Sequence, residues 1–263
     1  CKKALNETNG NMDEAVEFLR KNGQAKAEKK ANRIAAEGLC AVVVKNDTEA
    51  AVVEVNSETD FVAKNDTFKA FVDAVANQAV ASDAADMDAF MAEKWNEDDS
   101  KTVQDALVEK VAVIGENLKI RRFQKVTAEN GCVVSYVHGG GRIGVIVEAE
   151  TDVVNDTVKE AMTNIAMQIA ALNPKYVSRD EVSAEYIAHE KEILLAQIQN
   201  DPKESQKPEK VINGIIEGRV SKELKEICLV DQVYVKAEDG KQSVAKYLEQ
   251  GSKEVGTSVS VTR

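Results

Sequence analysis

The stretch Glu58-Thr59-Asp60-Phe61-Val62-Ala63-Lys64-Asn65-Asp66-Thr67 recurs in shortened form as Glu150-Thr151-Asp152-Val153-Val154-Asn155-Asp156-Thr157. Both versions follow a pair of apolar, β-branched runs, at 39–44 and 51–55 in the first copy and at 131–137 and 143–147 in the second. Asn46-Asp47 and Gly139 to Gly141 separate the members of each pair, which is typical of antiparallel hairpins. The order of elements therefore predicts a duplicated fold, with Thr67 and Thr157 related by a shift of 90 residues.

An amphipathic run follows each version of the stretch. Its apolar residues recur at helical spacing, which predicts a helix with one buried face in each copy. They are Phe68, Phe71, Val72, Val75 and Ala79 in the first copy and Val158, Ala161, Met162, Ile165 and Ile169 in the second.

A further helix and a third strand also recur. Residues 102–122 match residues 243–263 with a shift of 141, and each segment passes from a helical pattern into alternating apolar residues. Each half is therefore predicted to be a three-stranded antiparallel sheet covered by helices, an α+β layer pair. Arg263 falls inside the third strand by this alignment, so we expect the natural chain to continue beyond it.

The two shifts differ by 51 residues, which is the size of an insertion in the second copy. Asp180 to Gln199 and the segment from Pro208 to Leu224 have helical apolar spacing, and Asn200-Asp201-Pro202 interrupts them. Two helices joined by so short a connection pack side by side. We expect an antiparallel helical hairpin, the inserted segment 180–229.

The first residues are predicted to form a small helical segment. Asn11 with Glu14 matches a capping box, and Gly23 stands where a glycine would end the helix. The predicted division of the chain is 1–23 helical segment, 24–37 linker, 38–128 first repeat and 129–263 second repeat.

Composition argues against several classes of function. The formal net charge is −11, whereas nucleic-acid binders normally carry a basic face. No apolar run has the roughly 18–20 residues needed to cross a bilayer. Four scattered cysteines and two distant histidines offer no cluster of metal ligands, so we predict no metal site and no cofactor. Scattered thiols fit a reducing cytoplasm.

The histidines also fail to support an enzyme. His138-Gly139-Gly140-Gly141 is similar to the oxyanion-hole sequence of lipases, but the chain has no G-x-S-x-G nucleophile sequence to accompany it. The glycines are more simply explained by a turn. We therefore predict that this protein is not an enzyme.

An ordered set of short sequences resembles the elongation factor Ts family. The most specific is Thr59 to Asn65. The others cover almost the whole chain in the family's order: Cys1 to Leu5 with Asp13 to Gly23, Ile114 to Asn117, Ser135 to His138, Arg142 to Val145, Ile165 to Met167, and Glu217 to Arg219. The resemblance implies a ubiquitin-associated-like (UBA-like) N-terminal domain, here without its first helix because Cys1 already lies in the second. It also implies that the inserted hairpin is the family's coiled-coil arm.

The resemblance implies a guanine-nucleotide exchange factor that binds elongation factor Tu during translation elongation. The site residues that it carries over are Thr59, Asp60, Phe61 and Val62 on the Mg²⁺ side of the partner. Ile143 and Gly144 are carried over as contacts with the partner's nucleotide-binding region, and Gln168 as a contact on its phosphate-loop side. Gln168 stands where many members have His, which is a departure from the family pattern. No direct nucleic acid and no membrane are expected as partners, and the location implied is the cytoplasm, with a bacterial one favoured over an organelle matrix.

Alternatives remain open for several of these residues. Phe61 could instead anchor the following helix in the core, and Asp60 and Asp152 could cap a helix or turn. Gly144 could serve a bulge or tight strand pairing. A related scaffold protein that binds another partner is the competing function, and self-association through the hairpin is a further alternative.

Overall fold

The structure is a computed structural model that describes residues 2–263. The described chain divides into two compact units. Unit 1 holds the residues up to Glu129 together with Val133–Ile146, and unit 2 holds Asn130–Cys132 with Val147–Arg263. The prediction that Cys1 belongs to a helix lies outside the described residues.

Two helices begin unit 1, α1 (Lys2–Glu7) and α2 (Met12–Lys30). The Asn11 side chain caps α2 as predicted, accepting from the backbone N–H groups of Asp13 and Glu14. The capping box is wrong, because the Glu14 carboxylate accepts from the Asn11 side-chain amide instead of its backbone N–H.

The predicted end of this helix at Gly23 is also wrong. The helix runs on to Lys30, and Gly23 is buried where α2 faces Val108 and Ala112. A glycine inside a helix costs only about 1 kcal/mol, which helix–helix packing offsets.

A three-stranded antiparallel sheet forms the centre of unit 1. Its order is β1-β2-β5, with β1 at Glu37–Lys45, β2 at Glu49–Ser57 and β5 at Lys119–Thr127. Asn46 and Asp47 both have positive φ, which suits the tight turn between β1 and β2. The predicted hairpin is confirmed.

Helices cover this sheet. The Asn65 side chain caps α4 (Asp66–Ala81), and α6 (Val103–Ile114) begins with a Thr102–Asp105 capping box and ends at Gly115, which has a φ of 89°. All five apolar residues predicted for the first helix are buried: Phe68, Phe71, Val72, Val75 and Ala79. The short elements that were not predicted include α5 (Met87–Ala92), β3 (Lys94–Trp95) and β4 (Asp98–Thr102).

The second copy repeats this order. Its sheet has the order β6-β7-β8, with β6 at Gly131–His138, β7 at Ile143–Glu150 and β8 at Ser260–Val261. The Asn155 side chain caps α7 (Asp156–Leu172), the Ser243 side chain caps α10 (Val244–Val255), and Gly256 ends α10 as Gly115 ends α6.

The insertion consists of α8 (Ala184–Asn200) and α9 (Glu209–Ile227). The Tyr186 hydroxyl donates to Glu223 at 2.7 Å, and Lys191 pairs with Glu217. The later of the two α8 residues thus pairs with the earlier of the two α9 residues, so the helices run antiparallel, as predicted. The α+β fold class is confirmed, whereas the UBA-like character of the first residues and the four domain boundaries stay predictions.

Candidate functional site

Phe61 lies on a single helical turn between a strand and a helix. This turn, α3 (Asp60–Ala63), begins after β2, and the Thr59 hydroxyl caps it by accepting from the Val62 N–H at 3.3 Å. The side chain of Phe61 is 81% exposed, so the alternative of a core anchor is wrong. Ala63 is buried and Val62 packs against the core of unit 1, so one side of the turn is fixed while the ring faces solvent.

Asp60 pairs with Lys64 on the same turn. The two side chains meet at 2.7 Å, and the hydrogen bond from the Lys64 ammonium lowers the pKa of Asp60. The carboxylate therefore stays charged at neutral pH. Asp60 caps no helix, since Thr59 and Asn65 cap the two helices here, and Asp152 accepts instead from the Asn130 side chain.

The residues after α6 hold this turn in place, which the sequence did not reveal. The Glu116 carboxylate accepts from the backbone N–H of Glu58 and Thr59 and from the Thr59 hydroxyl. In return the Glu58 carboxylate accepts from the Asn117 N–H at 2.6 Å. Ile114 to Asn117 had been noted only as a family sequence. The sequence signal for this role is Glu116 itself, because an acidic residue follows Gly115 whereas Thr257 follows the equivalent Gly256.

A polar cleft lies beside Asp60 in unit 1. Its charged lining residues carry both signs: Glu37, Glu54, Asp60, Lys64, Lys69, Arg122 and Arg142. Asn56 also lines the cleft, and its buried Oδ1 has no hydrogen-bond partner in the described part of the chain. Because an unpaired buried acceptor is costly, water or a partner's donor group is the natural complement to this oxygen.

Ile143 and Gly144 begin β7 and belong to unit 1. The Ile143 side chain is 38% exposed. Gly144 sits so close to Cys40, Val42 and Val52 that an added Cβ would lie 3.1–3.3 Å from their side chains. Close packing within unit 1 is therefore sufficient reason for this glycine, and the contact of both residues with a partner stays a prediction.

Gln168 lies in the interior of unit 2, and its predicted contact with a partner stays a prediction. Its exposed fraction is 0%, and its side-chain amide donates to Gln232 and to the Val233 carbonyl at 3.1 Å. Its Oε1 accepts from the Val235 N–H at 2.8 Å. A buried and fully bonded amide cannot touch a partner without breaking these bonds, so we leave Gln168 out of the proposed interface.

The first copy has the same arrangement of bonds around Gln78, which the 90-residue shift aligns with Gln168. Gln78 donates to the Lys94 carbonyl and accepts from the Asn96 N–H. In each copy a glutamine on the covering helix therefore holds a later extended segment. Within unit 2, Gln168 thus makes bonds of the same kind as those of Gln78 in unit 1.

No cluster of potential metal ligands appears in residues 2–263. No three His, Cys, Asp or Glu side chains lie together as metal ligands would, and no helix of this range is long and apolar enough to cross a membrane. His138 meets the Tyr136 hydroxyl at 2.9 Å, and the glycines that follow it all have positive φ in a turn.

Comparison with known proteins agrees with the ordered short sequences. The family model described as Elongation factor TS matches residues 58–262. The protein named Elongation factor Ts of Clostridioides difficile (strain 630) is 49% identical over 264 aligned positions, which span 100% of this chain and 84% of that relative. Those of Clostridium novyi (strain NT) and Clostridium botulinum (strain Eklund 17B / Type B) are 46% and 44% identical with the same coverage. The resemblance inferred from the sequence is confirmed.

Proposed function

The chain belongs to the elongation factor Ts family, and on that premise we propose that it is the guanine-nucleotide exchange factor of elongation factor Tu in translation elongation. It acts by binding, not by covalent chemistry. The observation that carries the proposal is the exposed ring of Phe61 on a turn that the rest of unit 1 holds fixed.

An exchange factor must favour the state of the GTPase that holds GDP weakly. A protein that bound both states equally would shift nothing, however tight its binding. The coupling is reciprocal, so the factor by which this chain lowers GDP affinity is also the factor by which GDP lowers the affinity of this chain. The energy for release must therefore come from contacts that exist only in the distorted partner.

We assign those contacts first to Phe61 and Asp60. GTPases hold GDP through backbone donors of a phosphate loop and through Mg²⁺. On the family resemblance, these two side chains enter the partner beside its Mg²⁺ and displace the structure that orders the ion. Burial of one Phe ring provides roughly 1.5–3 kcal/mol, and it is gained only where the partner opens to admit the ring.

The other site residues have supporting parts in this proposal. Thr59 and Val62 are bonded or packed within unit 1, so they shape the turn more than they contact the partner. Ile143, together with Gly144, is the proposed second contact, at the partner's nucleotide-binding region. A bacterial cytoplasmic location and self-association through α8 and α9 remain predictions.

The test is release of a fluorescent GDP analogue from preloaded elongation factor Tu. The wild-type chain should accelerate release, and Phe61→Ala should reduce the acceleration at limiting concentration about thirtyfold, the effect of losing an anchor worth roughly 2 kcal/mol. Because the ring is exposed, the melting temperature should change little.

Val113→Ala is the matched control, since Val113 is also an exposed apolar residue of unit 1, 74% exposed on α6. This variant should behave as wild type. If the wild-type chain gave no acceleration, exchange would be refuted and the competing scaffold function favoured. An unfolded Phe61→Ala variant would contradict the separation of the ring from the core.

A further inference from the structure

We propose that Glu116 is a positioning residue for Phe61: its carboxylate fixes the turn that carries the ring, and so determines how well the ring enters the partner. This inference rests on the proposed function. It adds to that function a residue that itself contacts neither the partner nor the nucleotide.

The first step is the convergence of three donors on one carboxylate. Glu116 Oε2 accepts from the Glu58 N–H and the Thr59 N–H, each at 3.1 Å, and Oε1 accepts from the Thr59 hydroxyl at 2.7 Å. An ionised carboxylate offers only acceptors on two oxygens, which suits this set of donors. Bonds to a charged acceptor are also stronger than bonds between neutral groups.

The second step connects this carboxylate to the ring. The Thr59 hydroxyl has one proton, and that proton is directed to Glu116. Its oxygen is thereby free to accept from the Val62 N–H, the bond that caps α3. Glu116 therefore fixes the orientation of the cap on which Asp60–Ala63 begins, and Phe61 is the second residue of that helical turn.

The third step is the rigidity of Glu116 itself. Gly115 ends α6 in the left-handed conformation, so the chain leaves the helix in a defined direction. Asn117, the next residue, donates its N–H to Glu58 and its side-chain amide to the Arg33 carbonyl at 2.7 Å. The carboxylate is thus held between the end of α6 and the turn.

The second copy of the fold provides an internal comparison. The 141-residue shift places Thr257 at the position of Glu116, and Val153 stands at the position of Phe61. No helical turn lies between Thr151 and Asn155, and the Thr151 hydroxyl bonds within its own segment to Val153. The sheet and covering helix therefore form without the acid. Glu116 accompanies the turn and its ring, and the repeated fold does not require it.

The experiment compares Glu116→Ala with a control carboxylate in the same unit. Glu93 accepts from the Gln78 amide at 3.1 Å and the Ser82 hydroxyl at 2.7 Å, and it does not bond to the turn. At limiting concentration of the chain, Glu116→Ala should slow GDP release about tenfold, as loss of hydrogen bonds to a charged group would. Glu93→Ala should stay within about twofold of wild type.

Two further measurements separate positioning from loss of folding. Amide hydrogen exchange should lose protection at Glu58 and Thr59 in Glu116→Ala and keep it in Glu93→Ala. Glu116→Gln, which retains one acceptor oxygen, should fold normally and give an intermediate release rate. In a Phe61→Ala background, Glu116→Ala should cause no further loss, because the ring that it positions is gone.

Wild-type release from Glu116→Ala, or an equal loss with and without the ring, would overturn the inference and leave the proposed function intact. Equal effects of the Glu116 and Glu93 variants would also overturn it. A wild-type chain that failed to release GDP would instead refute the proposed function, and the inference with it.

Discussion

Phe61 contributes little to the folded state, because its ring is mostly in water. A single exposed apolar residue is common on protein surfaces and by itself indicates nothing. Phe61 is distinguished by the bonds that fix its turn. The Thr59 hydroxyl donates to Glu116 and accepts from the Val62 N–H, and Lys64 pairs with Asp60, the first residue of the turn. A ring carried on a turn with a fixed backbone loses less conformational entropy on binding than one on a mobile loop.

Gln168 is the opposite case, a polar side chain whose role lies inside the fold. Gln168→Ala should lower the free energy of unfolding by about 2–4 kcal/mol, since it leaves the side-chain oxygen of the buried Gln232, the Val233 carbonyl and the Val235 N–H without this partner and opens a cavity. Urea denaturation measures this change. Gln199→Ala on the exposed surface of α8 is the control and should cost under about 0.5 kcal/mol.

An unchanged stability for Gln168→Ala would contradict the buried network. Slower GDP release from a Gln168→Ala variant of normal stability would restore the residue to the interface. The sequence did not predict the burial of Gln168, since the family resemblance implied only a partner contact for this residue. Burial is a property of the packed structure, and no local sequence pattern marked it here.

At the scale of elements, the two copies differ at the turn itself. Between Glu58 and Asn65 the first copy has two residues more than the second copy has between Glu150 and Asn155. The added length allows one helical turn, and this turn carries Phe61 away from the body of unit 1. The corresponding segment of unit 2 connects strand to helix without one.

Deletion of Ala63 and Lys64 would give the first copy the spacing of the second. We expect the deleted protein to keep its sheet and helices, with a loss of stability of no more than about 2 kcal/mol from the buried Ala63. We also expect it to lose most of its exchange activity although Phe61 is still present. Circular dichroism and the GDP-release assay measure the two properties, and retained exchange would contradict a role for the turn.

The sequence predicted most of the elements because strands and helices have different apolar periods. Alternation and β-branched runs marked the strands, and Phe68 to Ala79 marked the covering helix. The errors occurred where local rules compete with packing: α2 continues through Gly23 because the glycine fits against α6. The short turn α3 was missed because four residues are too few for any period to appear.

The inserted hairpin has its own pH dependence. The hydrogen bond from the Tyr186 hydroxyl to Glu223 raises the pKa of Tyr186 to about 12, compared with about 10 in an unfolded chain. Because the pKa of Tyr186 is higher in the folded state, the stabilisation of the folded protein by this hydrogen bond is complete below about pH 10. It is lost as the pH rises through about 12.

Tyr186→Phe should therefore be less stable than wild type at pH 8, and the difference should shrink as pH rises from about 10 to 12. Thermal unfolding of the two proteins in parallel measures the difference and cancels the titration of the lysines. A difference that stays constant over this range would show that the hydroxyl does not stabilise the hairpin through its proton.

At the scale of the whole molecule, the proposed exchange function requires that the chain bind the GDP-bound and the nucleotide-free states of its partner with different affinities. In the proposed function, the free energy for displacing GDP comes from the interface, for which Phe61, Asp60 and Ile143 are the proposed contacts. The net charge of −11 means that attraction to nucleic acid is not its source.

The most direct measurement is the affinity of the chain for elongation factor Tu with and without saturating Mg²⁺ and GDP. We expect the wild-type chain to bind the nucleotide-free partner at least a hundredfold more tightly, a coupling of about 3 kcal/mol. Phe61→Ala should keep its affinity for the GDP-bound partner and lose most of this ratio. Equal affinities for the two states, or a ratio that Phe61→Ala leaves unchanged, would contradict the account.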